Sequence, residues 1–172
     1  MPNTKAVGVA YADPEFESVT VSGAVTVSGA VTAASVTVSG AVTAASVTAT
    51  GAVTAASVAA SSELGYTAAA QGTVTQLTDK STAVTLNKSA GQITMNGAQL
   101  NAATNVTFTL NNSVLSANDV TVLNVGSGAT SGAYNCWISS KSAGSCTITV
   151  RNISAGNLSE AIVINFAVIH CA

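Results

Sequence analysis

Charge is scarce in this chain. Five Lys or Arg and seven Asp or Glu make up 7% of its 172 residues, with a net charge of −2, against roughly 25% charged residues in ordinary globular proteins. No basic patch or tail exists, so the electrostatic footprint of a nucleic-acid binder is missing. Aromatic residues are also sparse at 4%, with one Trp and one His in the whole chain. That His170 stands two residues from the last leaves little to orient it as a general base. With Cys171 beside it but no other spaced Cys or His, it reads as a terminal strand residue rather than a metal ligand. The acids fare no better: Asp79 precedes Lys80 in a turn, Asp119 and Glu160 each open a strand, and Glu63 stands alone. A glycosidase pair needs two carboxylates about 5 to 10 Å apart in a cleft, usually with aromatic platforms. The Gly-rich GSGATSG at 126–132 lacks the following Lys and helix of a phosphate cradle, and reads as a hairpin loop. No catalytic residue, cofactor or metal is therefore expected.

Long hydrophobic runs are missing as well. Apolar residues reach 48% and mean hydropathy is positive. Yet Thr, Ser, Asn and Gly recur every few positions, and nothing approaches the roughly 18 to 20 apolar residues of a membrane span. The opening stretch, with Lys5 and a short AVGVAYA run broken at Gly8, is a poor signal peptide. Three cysteines, Cys136, Cys146 and Cys171, make an odd number that suits no complete disulfide framework. Synthesis in a reducing cytoplasm is expected. Cys136 and Cys146 flank the SSKSAGS turn on neighbouring expected strands, which leaves both a cross-strand disulfide and two free thiols open. Trp137 alternates with Cys136 and Ile138; core filling is its default reading, and a sugar-stacking or receptor role is the other.

What the chain does have is repetition. From Val19 to Val58 it reads VTVSGA-VTVSGA-VTAAS-VTVSGA-VTAAS-VTATGA-VTAAS-V, with no charged or aromatic residue. A Val opens each unit, at Val19, Val25, Val31, Val36, Val42, Val47, Val53 and Val58, and from Val31 on the period is eleven residues. A helix is excluded, because steps of five and six at about 100° per residue put successive valines on separate faces. Val and Thr favour a pleated surface instead. The segment is expected to form very short strands that cannot stand alone and expose free edges. Intertwining with identical chains, most simply three about an axis, covers those edges and turns the Val row inward. The expected element is a trimeric β-shaft resembling a triple-stranded β-helix.

After a transition over residues 59–72, with a short helical turn at 67–71, the pattern changes to longer alternating strands. They are expected at 73–78, 82–87, 91–96, 105–111, 119–125, 133–140, 145–152 and 160–169, separated by Gly-, Asn- and Ser-rich breaks. Eight such strands argue for an antiparallel β-sandwich knob of jelly-roll type over residues 73–172. The last strand is apolar on both faces, which places it centrally or at a subunit interface. Residues 1–18 differ from all of this: Tyr11 and Phe16 flank Asp13 and Pro14 in an acidic cluster. They read either as a solvated terminus or as a docking peptide in which the aromatics anchor on a partner.

The stretch GTVTQLTDKSTAVTLNKSAGQITMNGAQL from Gly72, with NVTFTLNNSVL and the closing AGNLSEAIVINFAVI, resembles the C-terminal domain of tailed-bacteriophage virion proteins, both head fibres or decoration proteins and tail fibres. The opening AVGVAYADPEFESVTVSG is similar to the short capsid-attachment ends of head fibres. The resemblance implies a homotrimeric fibre, made in the host cytoplasm and placed on the capsid surface. It would attach by residues Tyr11, Asp13, Pro14 and Phe16 to the major capsid protein or another virion protein, and display its knob to the host surface, where a glycan is one candidate partner. The lack of a large anchoring domain favours a head fibre over a tail fibre. A short tail fibre or receptor-binding protein is the alternative within virions. A carbohydrate-binding bacterial adhesin or a capsule-degrading spike is the alternative beyond the fibre reading.

Overall fold

The computed structural model describes residues 21–171. The expected docking residues Tyr11, Asp13, Pro14 and Phe16, and the first repeat valine, Val19, lie outside the described residues. The chain divides into two units, Met1–Ala56 and Ser57–Ala172.

In the first unit, residues 21–56 form neither helix nor strand, and every one is exposed. The backbone nevertheless keeps the sequence period. It bends at Ala34, Ala45 and Ala56, and again at Ser39–Gly40 and Thr50–Gly51, with irregular runs of about four residues between. Two of these bends include a Gly, whose backbone is the most permissive, and the other three fall on Ala. The valines that open each unit are the most exposed, from 68% at Val25 to 80% at Val47, while Val21, Val27 and Val38 sit near 51–53%. Among the described residues, then, the repeat valines line no interior and the runs between the bends join no strand pair.

The second unit is all-β. A 3-10 turn at Ala68–Ala70 precedes β1 (Gln71–Thr75), β2 (Val84–Thr85), β3 (Ala90–Thr94) and β4 (Asn105–Asn111). There follow β5 (Val120–Ser127), β6 (Tyr134–Ser142), β7 (Ser145–Asn152) and β8 (Val163–Ile169). Each of the eight expected strands is present, with β4 and β7 at the expected bounds. They form two open four-stranded sheets, β1-β3-β8-β5 and β2-β4-β7-β6. Apolar positions at every second residue meet in one core: Ile93, Ile164 and Phe166 from the first sheet, and Phe108, Leu110 and Ile148 from the second. As its two apolar faces require, β8 is an inner strand between β3 and β5.

The expectation of purely antiparallel sheets is corrected. Strands β1 and β3 pair in parallel, as do β2 and β4. The breaks at 76–83 and 86–89 do not fold the chain back on itself but carry it from one sheet to the other, so that strands one and three, and two and four, point the same way. The first break is held from inside. Gln76, only 2% exposed, donates from Nε2 to the carbonyls of Lys80 and Thr82 and accepts from the Asn96 amide. Lys80, which follows Asp79 in the expected turn, is only 4% exposed. Its Nζ donates to the carbonyls of Asn96 and Glu160, both at 2.6 Å. Among the described residues, no helix is long and apolar enough to cross a membrane.

Candidate interaction site

Strand alternation gives each sheet an outer face, and the two faces differ chemically. On the second sheet, cross-strand pairing places Thr107, Thr149 and Trp137 in one row, and Asn105, Arg151 and Asn135 in the next. Cys136 and Ile138 pack against the core, so Trp137 between them points outward and remains 36% exposed. Core filling, its default reading, is thereby corrected: two inward neighbours on a strand of period two force the residue between them to the opposite face. The hydroxyls around the indole are already engaged with one another. Thr107 and Thr149 share a 3.0 Å hydrogen bond, Thr149 donates to Ser139 at 2.9 Å, and Ser140 donates to Thr147 at 2.9 Å. Among the described residues, the side chains of Asn105, Asn135 and Arg151 have no hydrogen-bond or ion-pair partner. The four strands of this sheet contain Lys141 and Arg151 but no acid.

On the first sheet, no strand contains a charged residue. Outward-facing amides run across it as Gln92, Asn165 and Asn124, with Gln92 Nε2 donating to Asn165 Oδ1 at 3.1 Å. Beside them Val120, Val122 and Ile169 are 51–54% exposed. Gln71, Thr73, Gln92 and Asn165 line an open groove of about 560 Å³. Strands β1 and β3 approach here as only glycine allows: a Cβ at Gly91 would lie 2.5 Å from the Gly72 carbonyl oxygen.

His170 is oriented, contrary to expectation. Its Nδ1 lies 2.9 Å from Asp119 Oδ2, and Asp119 is only 1% exposed. The same carboxylate accepts from the Ser116 amide at 2.8 Å, the Ser116 hydroxyl at 2.7 Å and the Cys171 amide at 3.1 Å. These donors, the Ser116 amide foremost, hold its carboxyl well below the usual carboxylate range. The spacing Ser116-x-x-Asp119 was the available signal for this local turn, but nothing in the sequence pointed to its long-range partner. Glu160 is bound elsewhere, accepting from the amide and hydroxyl of Thr130. Burial, and secondarily Glu160, push the Tyr134 hydroxyl up to about 12. The described residues contain no group of three or more His, Cys, Asp or Glu able to hold a metal.

The cysteine alternatives also resolve. All three are free. Cys136 stands opposite Val150, and Cys146 opposite Leu110 and Lys141, so the two are not cross-strand neighbours. Burial pushes the Cys146 thiol up to about 11, which leaves it an inert core residue at neutral pH. The chain matched no protein-family model, no curated protein and no solved structure.

Proposed function

We propose that the protein is a structural virion component of a tailed bacteriophage: a homotrimeric head fibre or capsid decoration protein. The observation that carries the assembly is the row of repeat valines, 68–80% exposed from Val25 to Val58 among the described residues. A run this apolar and this free of charge is stable only when other chains cover it. Three copies intertwine residues 19–58 into a β-helix-like shaft with those valines inside. The uncharged outer face of the first sheet supports the same reading, since its amides and half-exposed valines complement a second copy of themselves without repulsion. The jelly-roll-like unit then forms the displayed knob.

The phage setting rests on the resemblance of residues 72–169 to virion-protein C-terminal domains. Attachment to the major capsid protein through Tyr11, Asp13, Pro14 and Phe16 rests on that of the opening stretch to capsid-attachment ends. Light scattering on the purified protein should give three times the chain mass, and immunogold labelling should decorate the heads of phage particles. A monomeric mass would defeat the fibre assembly. Label on tails alone would favour the second reading, a short tail fibre or receptor-binding protein, which the outward Trp137 supports.

A further inference from the structure

The outer face of the second sheet is the one place among the described residues where an exposed indole and several unengaged polar side chains meet. Thr107, Thr149, Ser139, Ser140 and Thr147 satisfy one another or the backbone, which makes a stiff polar floor. Asn105, Arg151 and Asn135 form the adjoining row. That row crosses three strands and so spans about 10 Å, two inter-strand spacings, close to the length of a disaccharide. The only tryptophan in the chain thus stands at an outward-facing position of the edge strand β6, 36% exposed.

From this juxtaposition we infer that Trp137, Arg151, Asn135 and Asn105 form a binding site for an acidic polysaccharide, one whose pyranose rings carry carboxylates. The indole offers a flat apolar platform to the C–H face of a pyranose ring, as large amphipathic aromatics do where one side of the contact is wet. Asn105 and Asn135 bring both donors and acceptors for ring hydroxyls. Arg151 presents a planar fork that matches a carboxylate in two parallel hydrogen bonds. No Asp or Glu on the four strands opposes an anion. An apolar peptide segment fits poorly, because it would cover the amides and the guanidinium without satisfying them. The biological setting, recognition of a host-surface glycan by a displayed knob, rests on the fibre reading; the site itself does not.

Because Trp137 is the sole tryptophan, emission from the intact protein reports on this site alone. The test titrates full-length protein with a short oligogalacturonate and, separately, with a neutral malto-oligosaccharide of equal ring number. The expected result is a saturable emission change with the acidic sugar and binding weaker by about tenfold or more for the neutral one. Calorimetry should show Trp137→Phe, which keeps an apolar ring at the position, losing about tenfold in affinity. Arg151→Gln should erase the preference for the acidic sugar while circular dichroism stays that of the parent. Absence of saturable binding by either sugar, or variants that bind as well as the parent, would overturn the site. Equal affinity for both sugars would overturn the acidic class. An indole shielded from iodide in the intact assembly would show the face to be covered by another copy and would also overturn the proposal. None of these readouts depends on where the protein sits in a particle, so they stand or fall separately from the immunogold result.

Discussion

Single residues in the second unit carry roles set by distant partners. Asp119 holds Ser116 together with His170 and Cys171, which follow β8, and its carboxyl is depressed in the folded chain. A carboxylate with a lowered folded pKa contributes stability that is complete above its unfolded value near pH 4 and is lost as pH falls toward the folded value. Thermal melts should therefore show midpoints dropping from pH 5 to pH 2, and Asp119→Asn should flatten that dependence while lowering the midpoint at pH 7. Lys80 offers a second case. Truncation to Ala leaves the part-buried carbonyls of Asn96 and Glu160 without their donor, a loss of about 1–3 kcal/mol by urea unfolding. Neither role was legible beforehand. A Lys after an Asp in a turn, and a His near the last residue, look solvated until a fold brings a carbonyl pair or a carboxylate to them. Trp137 illustrates the reverse: its alternation with Cys136 and Ile138 was readable, and only the choice of which parity faced the core remained.

At the scale of elements, all eight strands of the second unit were readable because alternation and turn chemistry are local. Their pairing was not, since it depends on whether a break returns the chain to its own sheet or sends it to the other. Short polar residues serve both, and the buried side chain of Gln76, bonded across the first break, had no sequence mark to separate it from a surface Gln. The parallel contact of β1 with β3 depends on Gly72 and Gly91. Gly91→Ala places a methyl 2.5 Å from a backbone oxygen, where no flexible side chain can yield, and is expected to cost about 1–3 kcal/mol in urea unfolding. By contrast, at Gly132, where an added Cβ meets nothing, a substitution is strained only through the φ of +71°, so Gly132→Asn is expected to be milder than Gly132→Val.

For the whole molecule, the decisive property is the repeat, and assembly determines what a change in it does. Val42 is 69% exposed in one chain. In a monomer Val42→Asp is a surface substitution within about 0.5 kcal/mol of neutral; in an intertwined trimer it places three like charges on the axis. For the proposed trimeric fibre, light scattering should show the variant losing the trimer mass, and an unchanged mass would place the valine row outside the interface. The sequence by itself determined the β class of the second unit, its eight strands and the eleven-residue period, because each is written in neighbouring residues. Only the tertiary structure decided which strands run parallel, which face Trp137 occupies, and that Asp119 meets His170. Those are contacts between residues far apart in the chain, and their energies exist only once the two sheets have closed on a common core.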